Sequence, residues 1–207
     1  MADSMPSYPL HAVAFDLDGT LIDTAPDFVR VLNELRAAYQ RPALPHDVIR
    51  PAVSAGARAM VQVGFPEYAL ESPEFLQMRQ EFLERYSQGL DRESRLFDGM
   101  EHILRQLEQR AIPWGIVTNK PRIYSEPLLH GLQLAQRCAV LVCPDDVSQT
   151  KPHPEPMFLA CKHLDVAPEK TVYVGDHIRD IQAGKNAGMT TVAVGFGYIV
   201  HGEDIRD

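Results

Sequence analysis

The chain has 207 residues, of which 45% are hydrophobic, and it carries a formal net charge of -8 at pH 7. This length suits one sizeable hydrophobic core with a modest appendage and excludes a large multidomain assembly. The acidic balance argues against a nucleic-acid or anionic-membrane surface, because both need basic patches. No apolar run approaches the length of a transmembrane helix, and Met1–Pro9 lacks the basic start and apolar middle of a signal peptide. We therefore expect a cytoplasmic protein that is a monomer or a homodimer.

The first predicted element is the short apolar run Ala12–Phe15, which is followed directly by two acids, Asp16 and Asp18. The run is too short for a helix and predicts a buried strand of a parallel sheet. Both acids then lie at its carboxyl end, where open α/β sheets bind ligands. Alternation along an extended chain points the two side chains the same way. At about 4 Å and an effective dielectric near 20 they repel by on the order of 4 kcal/mol, so a cation or a proton must lie beside them.

The segment that follows, up to about Arg95, contains only helix-like patterns. Thr24–Asp27 predicts a helix start with a capping hydroxyl, a proline in the first turn and an acid three residues after the cap. Apolar residues then recur at helical spacing. Two further helices are expected, around Asp47–Gly64 and Pro73–Gly89.

From Phe97 onward the pattern alternates between helix and strand. Strands are expected at Trp114–Val117, Ala139–Cys143, Thr171–Val174 and Thr191–Val194, and helices at Gly99–Gln109, Tyr124–Leu134, Glu155–Leu164 and Ile178–Ala187. This alternation predicts a Rossmann-like, doubly wound parallel α/β sheet that includes the first strand. A helical insert of about 70 residues is too long for an ordinary connection. We therefore expect a helical cap domain over residues 23–95 and a discontinuous core of residues 1–22 and 96–207.

Two smaller features complete the organisation of the chain. Cys138, Cys143 and Cys161 are an odd number of cysteines without C-x-x-C spacing. Buried thiols are expected there rather than a disulfide or a zinc site. The polar ending Gly202–Asp207 predicts either a frayed tail or a truncated chain.

The strand that begins at Trp114 ends in a hydroxyl, an amide and a cation, which belong to Thr118, Asn119 and Lys120. Thr118 could bond a phosphoryl oxygen through its side chain, while the amides after it begin an anion-binding turn. The other two residues could contribute to binding or specificity, or could simply be part of the turn.

The next two predicted strands are also followed by charged residues. Lys151 lies in a loop after the third strand, where it could neutralise both a substrate and a carboxylate. Asp176 and Asp180 follow the fourth strand and are four residues apart. One of them can face a metal, while the other orients Lys151 or a water on the metal.

Four carboxylates beside a lysine suit Mg²⁺, which takes oxygen ligands. Zinc is disfavoured because only His177 lies near them. A carboxylate with an ordinary pKa of about 3.9 is ionised at pH 7, so Asp16 can attack phosphorus directly. Asp18 would protonate the leaving alcohol and later deprotonate the water that opens the aspartyl phosphate. Their surroundings should therefore push the two pKa values apart.

In order and spacing, these motifs resemble the four motifs of the haloacid dehalogenase superfamily of phosphohydrolases. They are Asp16-Leu-Asp18-Gly-Thr20, Thr118-Asn119, Lys151-Pro152 and Gly175-Asp176-x-x-x-Asp180. The resemblance implies a Mg²⁺-dependent hydrolase that acts on a small phosphorylated metabolite. It implies Asp16 as nucleophile, Asp18 as general acid and base, Thr118 and Lys151 as phosphate-binding residues, and Asp16, the Asp18 carbonyl and Asp176 as Mg²⁺ ligands. Asn119 is a further candidate phosphate-binding residue, and Asp180 is expected to be a supporting carboxylate.

Within the superfamily, the chain resembles the phosphoglycolate phosphatase group with a helical cap. The stretches Val53–Met60, Trp114–Pro121 and Pro152–Lys162 are similar, more specifically, to the bacterial N-acetylmuramic acid 6-phosphate phosphatases. The resemblance implies 2-phosphoglycolate and N-acetylmuramic acid 6-phosphate as candidate substrates. Arg58 and Lys120 are candidate specificity residues. Arg58 could bind a substrate carboxylate, although a solvated helix arginine is the default interpretation.

Three other functions share parts of this pattern. A 2-haloacid dehalogenase uses the same aspartate nucleophile but needs neither Asp18 nor a metal. A sugar phosphomutase shares the fold and is distinguished by its product. A non-catalytic phosphate-binding module would not need a nucleophile and an acid/base together.

Overall fold

The computed structural model of the protein describes residues 10–198. The expectations for Met1–Pro9 and Gly202–Asp207 lie outside these residues. The strands are β1 (Ala12–Phe15), β2 (Ile22–Asp23), β3 (Arg95–Leu96), β4 (Trp114–Val117), β5 (Val140–Val142), β6 (Thr171–Gly175) and β7 (Thr190–Ala193). The helices are α1 (Ala25–Ala38), α2 (His46–Ile49), α3 (Gly56–Gly64), α4 (Pro73–Ser87), α5 (Met100–Gln109), α6 (Arg122–Gly131), α7 (Glu155–Leu164) and α8 (Ile178–Asn186). Among the helices in this part of the chain, none has both the length and the apolar character needed to cross a bilayer.

Five strands form one parallel sheet in the order β5-β4-β1-β6-β7. The central strand β1 pairs with β4 on one side and with β6 on the other. Parallel neighbours need crossover connections, and helices α6, α7 and α8 supply those between successive strands of this sheet. The predicted doubly wound sheet is therefore confirmed, and the carboxyl ends of its strands meet at one edge.

Alternate residues of β1 point to opposite faces of the sheet, and each face has its own apolar core. Val13 and Phe15 belong to a cluster that includes Leu104 of α5. Ala14 belongs to a second cluster that includes Met157 of α7. Because helices cover both faces, a short run without polar residues is what this strand requires.

The helical segment between β2 and β3 differs from the prediction in one element. In place of one helix over 47–64, the chain forms α2, a 3-10 helix over Arg50–Ala55 and then α3. Pro51 lies in the 3-10 helix and has no N–H to donate, and Gly56 has a φ of 74°. The regular α-helix is therefore interrupted where apolar spacing alone predicted one continuous helix.

The start of α1 also differs from its prediction. The Thr24 hydroxyl does not cap the helix but donates to Asp18 Oδ1 at 2.6 Å. The backbone N–H groups of Thr24 and Ala25 donate instead to the Tyr198 hydroxyl, at 2.6 and 2.8 Å. A tertiary partner thus replaces the local cap.

Strands β2 and β3 form a two-stranded antiparallel ladder in which Ile22 pairs with Leu96 and Asp23 with Arg95. The chain therefore enters and leaves the helical segment side by side. Two-residue strands are too short to show alternation, so the sequence did not predict them. The division into residues 23–95 and the remainder stays a prediction, and this ladder lies at its two boundaries.

Candidate functional site

A cavity of about 270 Å³ lies at the carboxyl edge of the sheet. The strand-end residues in its wall are Asp16, Asp18, Thr118, Asn119, Lys120 and Lys151. The helical segment contributes residues 53–57 together with Arg79, Leu83 and Tyr86. Residues from three of the four predicted motifs therefore meet at one cavity, and the helical segment forms its opposite wall.

Lys151 is the buried cation of this site. Its Nζ lies 2.8 Å from Asp16 Oδ1 and 2.7 Å from Asp180 Oδ1. It also donates to the Val117 carbonyl and the Tyr173 hydroxyl, each at 2.9 Å. Burial alone would lower the pKa of Lys151, but the two carboxylates outweigh it and raise the pKa. The lysine therefore remains charged and contacts Asp180 directly, and the role of Asp180 in orienting it stays a prediction.

Asp16, Asp176 and Asp180 form a buried acidic cluster in which one oxygen from each lies within 4.8 Å of the others. Burial raises the pKa of Asp16 to about 7, although the Lys151 charge opposes this. Burial likewise raises the pKa of Asp176 to about 6, although the hydrogen bond from the Tyr198 N–H acts in the opposite direction. The ordinary pKa expected for Asp16 is therefore wrong when protein groups alone surround it.

The acidic cluster fits a hard divalent cation. Three carboxylates face a single lysine, so negative charge is in excess, and the neighbouring carboxylates add to the effect of burial on the pKa values of Asp16 and Asp176. Oxygen ligands of this kind suit Mg²⁺ or Ca²⁺. Zinc is disfavoured because the cluster consists of carboxylates alone.

A backbone N–H and a threonine hydroxyl position Asp176 within the cluster. Its Oδ2 accepts from the Tyr198 N–H at 2.8 Å, and its Oδ1 accepts from the Thr20 hydroxyl at 3.3 Å. Gly19 has a φ of 85°, and a Cβ on it would overlap the Asp176 carboxylate. Sequence reasoning missed Tyr198, because nothing in the local pattern after β7 marks it.

Asp18 forms an ion pair with Lys120, whereas Lys151 pairs with Asp16. Lys120 Nζ lies 3.0 and 3.3 Å from its two oxygens. The same Nζ donates to the Tyr86 hydroxyl at 2.8 Å and lies over the rings of Phe28 and Tyr86, at 4.9 and 4.8 Å. Lys120, which the sequence suggested as a specificity or turn residue, is thus the counter-charge of the second acid. Its two aromatic neighbours come from the helical segment.

Asn119 and Thr118 form hydrogen bonds with different neighbours. The Asn119 side chain accepts from the Lys151 N–H at 3.2 Å and donates to the Lys151 carbonyl at 3.1 Å. Asn119 therefore ties the Lys151 loop to the end of β4. The buried Thr118 hydroxyl accepts from the Lys120 N–H at 3.1 Å, which leaves its own proton free to be donated.

Arg58 is not among the residues that line the cavity. Its side chain is 57% exposed, forms an ion pair with Glu71 at 3.4 Å and is absent from the cavity wall. Helix α3 buries its other side, which carries Met60 and Val61. The arginines that line the cavity are Arg79 and Arg179. Helical spacing could have indicated Arg79 only once the face of α4 that meets the cavity was known.

His177 has a structural role in the fold. It caps α8, and its Nδ1 accepts from the Arg179 N–H at 3.2 Å. Within residues 10–198 all three cysteines are free thiols, of which Cys143 and Cys161 are buried as expected and Cys138 is half-buried.

The chain is similar to known phosphatases along most of its length. The chain is 47% identical, over 94% of its length and 85% of the relative, to an N-acetylmuramic acid 6-phosphate phosphatase of Pseudomonas aeruginosa. It is 44% identical, over 93% of its length and 86% of the relative, to a phosphoglycolate phosphatase of Xanthomonas campestris pv. campestris. A crystal structure of a predicted phosphoglycolate phosphatase from Haemophilus somnus superposes with a TM-score of 0.80 at 26% identity, covering 92% of this chain and 87% of that one.

The profile of the family described as haloacid dehalogenase-like hydrolase matches residues 13–194. The match spans all four motifs and the whole helical segment between the first and the second. The family expected from the four motifs is therefore confirmed, and the chain belongs to the haloacid dehalogenase-like hydrolases.

Proposed function

We propose that the protein is a Mg²⁺-dependent phosphatase that hydrolyses a small phosphomonoester through an aspartyl-phosphate intermediate. The observation that carries this proposal is the contact of Asp16 with Lys151 at the wall of the cavity, beside two further buried carboxylates. The names of the relatives suggest 2-phosphoglycolate and N-acetylmuramic acid 6-phosphate as substrates. Both are phosphorylated acids.

In the first step, an Asp16 carboxylate oxygen attacks the phosphorus of the substrate. A bond forms between this oxygen and phosphorus, and the bond from phosphorus to the ester oxygen breaks. Asp18 gives its proton to the departing alcohol. Lys151 and the Thr118 hydroxyl lie on the cavity wall, where they would hold the oxygens of the phosphoryl group.

In the second step, water attacks the phosphorus of the aspartyl phosphate. Asp18, now ionised, takes a proton from that water, and the bond between phosphorus and the Asp16 oxygen breaks. Inorganic phosphate leaves and the Asp16 carboxylate is restored. Because one residue must give a proton and later take one, a cation that can stabilise its ionised form is useful, and Lys120 is placed to do so.

The residues that would hold Mg²⁺ are Asp16, Asp176 and the backbone carbonyl of Asp18, with Asp180 as the supporting carboxylate. When bound, the ion would offset the negative charge of the acidic cluster and of the phosphoryl group. Asp180 is already engaged with Lys151, so its contribution is to orient that lysine.

We also propose that residues 23–95 act as a cap over a core of residues 1–22 and 96–207. Support comes from the cavity wall, which residues of both parts form together, and from the β2–β3 ladder at the two crossing points. A cap that closes would exclude bulk water during phosphoryl transfer. Cytoplasmic location and a monomeric or homodimeric state stay predictions from the sequence.

The test is phosphate release by the wild-type protein and two variants, with Mg²⁺ and with excess EDTA. Asp16→Asn should lower turnover by at least about a thousandfold, since the nucleophile is lost. Asp18→Asn keeps the nucleophile but loses the base of the second step, so with p-nitrophenyl phosphate, whose leaving group departs without a proton, intact mass spectrometry should detect a protein heavier by one phosphoryl group that Asp16→Asn never shows. Full hydrolysis by Asp16→Asn, or in EDTA, would contradict the proposal. Isomerised substrate without phosphate release would indicate a phosphomutase.

A further inference from the structure

Arg79 is a cation of the cavity wall that has no partner within the described chain. The four cationic side chains lining the cavity are Arg79, Lys120, Lys151 and Arg179. Lys151 and Lys120 are engaged with carboxylates, and the Arg179 guanidinium donates to the Ser54 carbonyl. Within residues 10–198, Arg79 makes neither a hydrogen bond nor an ion pair, and its side chain is exposed. Its whole guanidinium is therefore available to a ligand, whereas Arg179 already holds the Ser54 carbonyl and leaves only its buried Nε without a partner in the described part of the chain.

The position of Arg79 on α4 is two helical turns from the residue that contacts Lys120. Arg79, Leu83 and Tyr86 lie on the face of α4 that lines the cavity. Tyr86 marks the catalytic end of that face, because its hydroxyl accepts from Lys120, which holds Asp18. Seven residues of α-helix separate Tyr86 from Arg79, which corresponds to about 10 Å along the axis. An apolar side chain, Leu83, lies between the two polar ends.

We propose, on the basis of the phosphatase function proposed above, that Arg79 binds a carboxylate of the substrate. We further infer that this substrate is a phosphorylated sugar acid. Guanidinium and carboxylate groups match in a bidentate geometry, and an arginine without a protein partner need not break a contact to bind.

The two-turn spacing between Tyr86 and Arg79 on α4 favours N-acetylmuramic acid 6-phosphate, the longer of the two candidate substrates, over 2-phosphoglycolate. In 2-phosphoglycolate a single methylene separates the carboxylate from the ester oxygen, so one molecule cannot span two helical turns. In N-acetylmuramic acid 6-phosphate a pyranose ring lies between the phosphate and the lactyl carboxylate. The ring would lie against Leu83 while its two charged ends meet Lys151 and Arg79.

The experiment compares two substrates that differ in the lactyl group. These are N-acetylmuramic acid 6-phosphate and N-acetylglucosamine 6-phosphate, which lacks the carboxylate. The variants are Arg79→Gln and Arg79→Lys, with Arg58→Gln as the matched control, since Arg58 belongs to the same helical segment but is paired with Glu71 outside the cavity. The measured quantity is the ratio of kcat/KM for the acid to kcat/KM for the sugar without it. Thermal unfolding verifies that each variant is folded.

Arg79→Gln should lower this ratio by about 10- to 100-fold, the range of a charge-assisted hydrogen bond to a carboxylate, and mainly through KM. Arg79→Lys should recover part of the loss, because it keeps the charge without the planar fork. Arg58→Gln should leave the ratio as in the wild type. An unchanged ratio in Arg79→Gln, or an equal fall in Arg58→Gln, would overturn the assignment of Arg79.

The outcomes also separate this inference from the proposed function. If the wild-type protein releases no phosphate from any of these substrates or from p-nitrophenyl phosphate, the proposed function fails. If it hydrolyses both sugars but the ratio does not respond to Arg79, only the inference fails. A wild-type preference for 2-phosphoglycolate over N-acetylmuramic acid 6-phosphate would overturn the choice of the longer acid and leave the phosphatase function standing.

Discussion

At the scale of single residues, the two acids after β1 have different surroundings. Asp16 contacts Lys151 and belongs to the buried acidic cluster. Asp18 contacts Lys120, and its side chain is 17% exposed. The repulsion that the sequence implied is therefore reduced by a separate lysine on each side. This separation gives the two carboxylates distinct environments, and their proposed roles as nucleophile and acid/base stay predictions.

Gly19 provides a residue-scale prediction about the acidic cluster. Its φ is 85°, and an added Cβ would overlap Asp176 and the Tyr198 ring. Gly19→Ala should therefore lower the free energy of unfolding by about 2–4 kcal/mol and raise the Mg²⁺ concentration needed for half-maximal activity. Denaturant unfolding and a Mg²⁺ titration measure the two effects.

Gly99 supplies the matched control for that substitution. Its φ is 86°, but nothing lies within 4 Å of a Cβ built there. Gly99→Ala should cost about 1 kcal/mol from backbone strain and leave the Mg²⁺ dependence unchanged. Equal effects of the two substitutions would show that close packing against Asp176 does not matter.

At the scale of elements, hydrogen bonds to Asp27 link the two ends of the helical segment, and we call this set of hydrogen bonds the Asp27 brace. Its Oδ2 accepts from the N–H groups of Glu93 and Ser94, at 3.0 and 2.8 Å, and from the Ser94 hydroxyl at 2.7 Å. Its Oδ1 accepts from Arg30 at 2.7 Å. The first turn of α1 is thereby tied to the residues that lead into β3. The chain is held together where it enters and leaves the helical segment.

This brace predicts a pH-dependent contribution to stability. Burial alone would raise the pKa of Asp27, but the hydrogen bonds from Arg30, Glu93 and Ser94 outweigh it and lower the pKa. A carboxylate with a lowered pKa stabilises the fold above its unfolded value of about 3.9, and this stabilisation is lost as the pH falls through the folded value. Asp27→Asn should therefore lower the free energy of unfolding by about 2–4 kcal/mol at neutral pH.

Denaturant unfolding across pH measures this contribution. The difference between wild type and Asp27→Asn should stay constant from about pH 5 to 8 and shrink below about pH 4. Ser94→Ala, which removes one of the donors to Asp27 and keeps the carboxylate, should give a smaller loss with the same pH dependence. A difference that grows in acid would contradict this account of the brace.

At the scale of the whole molecule, thiol reactivity reports on the integrity of the packed core. Burial raises the pKa of Cys138 to about 12 and that of Cys143 to about 11. It also raises the pKa of Cys161. Only the thiolate reacts readily, so iodoacetamide should modify the native protein slowly at pH 8 and the denatured protein quickly. Intact mass spectrometry counts the modified thiols. Rapid modification of the native protein would mean that these parts of the core open easily.

The same thiols give the sign of an alkaline effect on stability. A thiol whose pKa is raised in the folded state favours folding fully below its unfolded value of about 8.5. Above that pH the unfolded thiol ionises while the buried one does not, so the free energy of unfolding should decline as the pH rises. Replacing Cys143 by Ser should reduce the slope of that decline.

Much of the fold could be predicted because it rests on local pattern. The strands β1 and β4 and the helix α7 were predicted with the bounds that the structure shows. Their apolar runs and breakers lie within a few residues of one another. The β2–β3 ladder and the break at Pro51 could not be predicted in the same way. The first depends on two segments far apart in the chain, and the second on competition between apolar spacing and a single proline.

The sequence by itself determined that this protein is a doubly wound α/β hydrolase with acids and lysines at its strand ends. Parallel strands place their carboxyl ends at one edge of the sheet, so the order of strands and polar residues was sufficient to predict that these acids and lysines lie together. Only the tertiary structure decided which groups meet. Lys120 reaches Asp18 across 102 positions, and Tyr198 reaches the start of α1 across 174. Arg79 lines the cavity and Arg58 does not, because helix packing alone determines which face of a helix meets the site.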